Sequence, residues 1–348
     1  MNDFHYKPHL DGLRGLSILL VAVSHAGFGH IVPGGLGVTI FFFISGYLIT
    51  SLLLKEHERS HSVDLKSFYL RRFWRLTPPV LVHVALSMII IFIFNENINW
   101  MEPASVLFYF SNYYKLLIHY TRVGDFYSPF DIYWSLAVEE HFYLIFTPFL
   151  VFIKNKRTLL AFVMLLIAAP LVIRAGVTQH FDAVFSDEYS YRATDARMDS
   201  IAYGCLLALM GQTRFNQRRS PLLFVAGGVG LLASLAIRDA YFRQVFRYSL
   251  QGMSIFLMVA PLLFSDKLDV VRKLLSNGLL VYVGKLSYSM YLYHWLALIL
   301  VFLHFGTTQL TVPWQAAYWL LTVSASVLSY HGIERPAMVL RRKFGSNV

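Results

Sequence analysis

The chain has one cysteine in 348 residues, Cys205, set in an apolar stretch. A lone thiol excludes a disulfide framework and any Cys-based zinc site. Charge is scarce too: Asp, Glu, Lys and Arg make up 14% of the residues, against about 25% in ordinary soluble proteins. Disorder is excluded, because it goes with low hydrophobicity and high charge. No internal repeat, low-complexity tract or soluble extension is visible. The N-terminus lacks the marks of a cleavable signal, since Asp3 and Asp11 precede the first apolar run and no small-residue cleavage site follows it.

What is abundant is apolar surface. Hydrophobic residues reach 56% and aromatics 16%, with 29 Phe. No soluble core of this size needs so much, and the expected fold class is an all-α, polytopic integral membrane helix bundle forming a single membrane-embedded domain over 1–348. A bilayer core takes about 20 apolar residues per helix. Spans are expected near 10–27, 36–54, 78–94, 132–153, 158–175, 196–211, 221–237, 248–264, 279–304 and 314–333.

The net charge of +10 could suggest nucleic acid, but no basic stripe with interleaved exposed aromatics is present. The cations cluster between apolar runs instead: Arg71, Arg72 and Arg75; Lys154, Lys156 and Arg157; Arg214, Arg218 and Arg219; Lys267, Arg272 and Lys273; Arg341, Arg342 and Lys343. Such clusters mark cytoplasmic loops. Residues 104–118 are apolar enough for an eleventh crossing, which would scatter the clusters over both faces. Read as a re-entrant or interfacial segment, they leave ten spans, all five clusters on one side, and both termini cytoplasmic. Arg238, Arg243 and Arg247 then sit on the outer face, where they suit an anionic ligand.

Ionisable groups inside spans mark a pathway or a site. Arg14 and His25 are eleven positions apart on the first span, sharing a face about 16 Å apart along it. Glu139 and Glu140 fall at a depth similar to that of His25. Neighbours are about 100° apart on a helix, so one is expected to meet His25 or the substrate while the other holds a neighbouring helix. Asp199 and His294 fall in the same layer, each open to a packing role. A second layer at the cytoplasmic face holds Arg14, Lys285, Arg335 and the Arg71, Arg72 and Arg75 cluster, which suits multidentate binding of phosphates. Gly34, Gly35 and Gly37 are expected to form a tight turn.

The segments HLDGLRG at 9–15, FFFISGYLI at 41–49, RRFWRLTPP at 71–79, WSLAVEEHFYL at 134–144, ARMDSIAYG at 196–204, GKLSYSMYLYHW at 284–295 and ERP at 334–336 together resemble the membrane acyltransferase-3 family of bacterial carbohydrate O-acyltransferases. The match runs in order over essentially the whole chain. His141 stands where a Gln commonly follows the paired Glu. The resemblance implies the stand-alone form, without an appended hydrolase-like domain. It also implies an inner-membrane enzyme taking acyl-CoA, usually acetyl-CoA, from the cytoplasm and acylating a carbohydrate hydroxyl presented from outside, without a metal. Membrane lipid, acyl-CoA and the carbohydrate acceptor are the implied partners.

Carried onto this chain, His25 is the catalytic base and Arg14 belongs to the same channel. Arg71, Arg72 and Arg75 receive the donor's phosphates, and Glu139 and Glu140 stand at the reaction centre. A neutral His can take the proton of a sugar hydroxyl as it attacks the thioester, and the oxyanion then needs donors, for which Tyr47, Trp134 and Ser135 are candidates. Asp11, Asp199 and His294 are supporting residues. Direct transfer and a covalent acetyl-His25 intermediate both use this set. Lipopolysaccharide, exopolysaccharide, peptidoglycan and a small exported glycoside all remain open as acceptors. The rival class is a transporter exporting a carbohydrate or moving protons, whose expected sign is paired halves with matching broken helices; none is visible.

Overall fold

The computed structural model describes residues 6–94, 99–119, 128–153, 155–211, 217–306 and 310–341. Asp3, Lys154, Arg214, Arg342 and Lys343 lie outside the described residues. The fold is all-α. Helix α1 (Pro8–Val23) opens on a proline, whose fixed φ and missing N–H suit a first turn. It continues into one π-turn, Ser24–Phe28. There follow α2 (Gly34–Ser60), α3 (Leu65–Ile93), α4 (Met101–Leu107) and α5 (Ser111–His119). A 3-10 turn at Asp131–Tyr133 leads into α6 (Trp134–Phe152), then α7 (Lys156–His180), α8 (Ala183–Arg192) and α9 (Thr194–Met210). The chain continues through α10 (Ser220–Ala236), α11 (Ala240–Val245), α12 (Arg247–Phe264), α13 (Asp269–Leu275) and α14 (Gly278–Phe305). It closes with α15 (Val312–Ser329), a second π-turn at Tyr330–Glu334 and α16 (Arg335–Arg341).

Each expected span falls on one of these helices: α1, α2, α3, α6, α7, α9, α10, α12, α14 and α15. Six are long and apolar enough to cross a membrane: α2, α3, α6 with its leading turn, α7, α12 and α14. The other four are shorter or more polar. Helices α1, α9 and α10 have 16, 17 and 17 residues, and α15 carries Gln315, Thr322, Ser324 and Ser326. The 104–118 segment is divided between α4 and α5, on either side of Tyr109 with φ 58°. Helices of 7 and 9 residues span only about 10 and 14 Å, too short for a 30 Å hydrocarbon core.

Two local expectations change. Gly34, Gly35 and Gly37 form the first turn of α2, not a loop, and the reason is close packing: a Cβ on Gly37 would lie 2.4 Å from the Ser17 carbonyl oxygen. Helix α3 begins at Leu65, well before the expected span at Pro78. The Asp64 side chain accepts from the Ser67 backbone N–H at 3.1 Å and from its hydroxyl at 2.5 Å, an N-cap that starts the helix early. These bonds hold the Asp64 carboxyl below its ordinary value. Arg71, Arg72 and Arg75 therefore sit on a continuous helix.

Within a bilayer, helices associate by close packing, which small residues permit. A Cβ on Gly284 of α14 would stand 1.9 Å from the Asp11 carbonyl oxygen, and one on Gly15 of α1 would stand 2.3 Å from that of Leu280. Gly46 of α2 and Gly204 of α9 meet the facing backbones of Ile201 and Phe43 in the same way. These two crossings bring α1, α2, α9 and α14 together at the centre of the bundle. The approach of α1 to α14 is what sets His25 beside His294.

Candidate active site

Two cavities lie where α1, α2 and α14 face α3, α6 and α8. One, of about 180 Å³, is lined by Arg14, Arg72, Arg75 and Glu139, with Ser45 and Tyr288 among its other walls. The second, of about 270 Å³, is lined by His25, Asp131, Trp134, Tyr191, Arg192 and Trp295, among others. Val38 of α2 and Tyr291 of α14 belong to both linings. The side chains near the start of α6 alternate between the two, Ile132 and Trp134 facing the histidine cavity, Tyr133 and Ser135 the arginine cavity.

His25 sits in the π-turn that ends α1, where Gly27 adopts φ 99°. A π-turn widens the helix by one residue and is common at functional positions. His25 Nδ1 lies 3.0 Å from His294 Nε2, and the two rings stack with centroids 5.2 Å apart. His294 Nδ1 lies 3.0 Å from the Met290 carbonyl oxygen. A carbonyl only accepts, so His294 carries its proton on Nδ1 and offers a lone pair at Nε2. His25 then donates from Nδ1, and its own lone pair is on Nε2. The second nitrogen of an imidazole is set in this way by the bond the first one makes. Trp295 meets the His25 ring edge-on at 4.9 Å between centroids.

In the arginine cavity, the four cations and carboxylates are arranged unequally. Arg72 donates from Nε to Glu140 at 2.5 Å and from a terminal nitrogen to Glu139 at 3.3 Å, and its guanidinium lies 3.6 Å from the centre of the Tyr143 ring. Glu139 also accepts from Ser45 at 2.9 Å. Arg71 is paired with Glu56 at 3.1 Å. Among the described residues, Arg14 and Arg75 form no ion pair, and the buried Arg14 Nε has no hydrogen-bond partner. They are therefore the two cations in the cavity with capacity for an anion.

Most of the residues expected at a site are brought to these two cavities. His25 and Trp134 meet in one; Arg14, Arg72, Arg75, Glu139 and Ser135 meet in the other. His294 supports His25 from behind. Glu139 sits with the arginines and not at the level of His25, and Glu140 is turned to Arg72. Arg71 serves Glu56. Tyr47 packs beside Phe43, Leu207 and the Gly204 backbone, away from both cavities. Asp11 accepts from the Tyr6 hydroxyl at 2.7 Å. Asp199 is fully buried against Arg174 at 2.8 Å and Ser249 at 2.5 Å, an electrostatic knot joining α7, α9 and α12. His141 bonds Thr194 Oγ1 at 2.8 Å.

Several lining residues were not singled out from the sequence. Tyr291 and Trp295 are four apart on α14 and so share a face, but one aromatic pair in an aromatic run reads as core. The Tyr291 hydroxyl lies 2.7 Å from Ser135 Oγ and donates to the Ile132 carbonyl at 3.0 Å. Behind Trp134 and Tyr191, the buried Arg197 donates to Thr39 Oγ1 at 2.9 Å and lies 3.9 Å from the centre of the Tyr248 ring. No group of three or more His, Cys, Asp or Glu placed to hold a metal occurs among the described residues.

The acyltransferase-3 model, described as an acyltransferase domain, matches residues 8–331. The chain belongs to that family. It is 32% identical over 355 residues to the peptidoglycan O-acetyltransferase OatA of Listeria monocytogenes, covering 95% of this chain and 56% of that protein. It is 30% identical over 351 residues to the O-acetyltransferase OatA of Staphylococcus aureus, covering 95% of this chain and 57% of that protein. The chain thus spans a little over half the length of the relatives it matches. No solved structure matches it.

Proposed function

We propose that this acyltransferase-3 chain is a membrane O-acetyltransferase that moves an acetyl group from acetyl-CoA to a hydroxyl of a peptidoglycan-like carbohydrate on the opposite face. In this reading ten helices cross the bilayer and both termini are cytoplasmic. The arginine cavity takes the donor. Arg75 and Arg14 hold its phosphates, because among the described residues neither guanidinium is taken up in a direct ion pair, and a guanidinium binds phosphate through two parallel hydrogen bonds. Arg72 holds α3 to α6 through Glu139 and Glu140. The histidine cavity takes the acceptor, whose sugar ring lies against Trp134 and Trp295.

The observation that carries this reading is the chain from Met290 through His294 to His25, which leaves Nε2 of His25 as a base in a cavity beside the donor's. The acceptor hydroxyl gives its proton to Nε2 as its oxygen bonds the thioester carbon. The carbon–sulfur bond then breaks, and the departing CoA thiolate takes the proton from the imidazolium. Nothing is left on the enzyme.

The test is acetyl transfer by the full chain in proteoliposomes, with acetyl-CoA on one side and an N-acetylglucosamine oligomer on the other. His25→Ala is expected to lower the rate by about 10²–10⁴-fold with the protein still folded. A folded His25→Ala protein with wild-type transfer overturns the assignment.

A further inference from the structure

We infer that Val38 and Tyr291 set the length of the acyl group this chain transfers. The inference rests on the two-cavity reading above. Of the residues lining the arginine cavity and those lining the histidine cavity, these two alone are common to both. The base lies on one side of them and the phosphate-binding arginines on the other. CoA stays on the arginine side throughout, so the acyl group is the one part of the donor that must reach past this wall to meet the activated hydroxyl. Whatever passes is in contact with the Val38 methyls and the Tyr291 ring.

Both wall residues are held in place. Val38 packs in the buried cluster with Val21 and Phe42, and is 5% exposed. Its branched side chain has one strongly preferred rotamer in a helix. The Tyr291 ring cannot swing aside while its hydroxyl is bonded to Ser135 Oγ and the Ile132 carbonyl. A fixed wall discriminates by size, and one methylene too many in such a passage costs roughly 10–200-fold in kcat/KM. An acetyl group ends at one methyl. Propionyl and butyryl groups extend by one and two further carbons, into space the wall occupies.

The experiment compares acetyl-, propionyl- and butyryl-CoA with the full-length chain in liposomes, using chitotetraose as the acceptor probe and reading CoA thiol release and the ester by mass spectrometry. Thiol release with water as acceptor is expected to give the same ratios. Val38→Ala is expected to raise the propionyl-to-acetyl ratio of kcat/KM by about tenfold or more. Val38→Ile is expected to lower it, so the reading survives if the smaller variant does not fold. Tyr291→Phe keeps the ring but removes both tethers, and is expected to admit butyryl. A purely structural role would slow all three donors together and leave the ratios unchanged; unchanged ratios in all three variants overturn the inference. His25→Ala separates the two readings: if it is inactive while the ratios do not move, the wall alone is wrong, and if it is active, the assignment of the base is wrong whatever the ratios do.

Discussion

His25 and His294 face each other with nitrogens 3.0 Å apart and rings within 14° of parallel. The first ring ends α1 and the second lies inside α14, so the pair joins the two helices that glycines already hold in backbone contact. His294 in turn is bonded within its own helix to Met290. Orientation therefore passes from the rigid α14 to the wider π-turn of α1.

That arrangement makes His294 a positioning residue for His25. His294→Leu removes the acceptor for the His25 Nδ1–H and is expected to lower kcat by about 10²–10³-fold with little change in KM for acetyl-CoA. His294→Gln restores an acceptor oxygen and is expected to recover at least about tenfold of the loss. Acetyl transfer in proteoliposomes measures both; a Gln variant as slow as the Leu variant would mean that the second ring does more than orient the first.

Arg75→Lys is expected to weaken acetyl-CoA binding while leaving acceptor affinity unchanged, because lysine keeps the charge but loses the planar fork. Calorimetry with acetyl-CoA and its form lacking the 3′-phosphate reads the effect. Arg71→Lys serves as the comparison: its guanidinium is paired with Glu56, and the donor is expected to bind it as it binds the wild type.

Asp199→Ala is expected to destabilise the fold by about 3–5 kcal/mol, since it leaves the Arg174 guanidinium buried without its carboxylate. Thermal unfolding in detergent would show a clear drop in midpoint. The variant that remains folded at low temperature should retain acetyl transfer, because neither cavity is lined by Asp199.

Gly284→Val places side-chain carbon where the Asp11 carbonyl oxygen now lies. It is expected to push α1 from α14, part His25 from His294 and abolish activity, with the loss larger than that of His294→Gln. A Gly176→Ala variant, whose added carbon meets nothing within 4 Å, is the matched control and should behave as wild type.

Topology is open to labelling, because the native thiol Cys205 is fully buried and leaves a quiet background. Single cysteines at Arg157 and Met101 are expected to react from opposite faces. Labelling from the same face would require a further crossing between α3 and α6.

The helices were legible, six of them long and apolar enough to cross a membrane, because apolar runs are a strong signal, and the positions of Arg14, His25 and Arg75 stood out because ionisable groups are costly in such runs. Partner choice was not legible. Nothing in the spacing of Arg71, Arg72 and Arg75 says that two of them are matched by Glu56, Glu139 and Glu140 and that the third is left over. That Glu139 would line the arginine cavity and pair with Arg72, and not line the cavity of His25, could not be read from its position along α6. Asp199 looked like a site group because its counter-ion, Arg174, comes from a helix whose own arginine gave no sign of facing inward. Tyr291 and Val38 were hidden for a different reason: an aromatic or a valine at a cavity wall has the same sequence signature as one in the core.

The shared wall of Val38 and Tyr291 has an electrical side. Two water-accessible hollows entering a bilayer from opposite faces form a pore if nothing lies between them, and a pore would discharge the proton gradient across the membrane. An apolar side chain and an aromatic ring tied at its hydroxyl make a thin dielectric barrier at the point where the two hollows approach. On the proposed reading, the chain passes a two-carbon fragment while blocking hydronium, and the same pair of side chains has to accomplish both. Widening the passage to admit larger fragments should therefore also make liposomes carrying the protein leak protons.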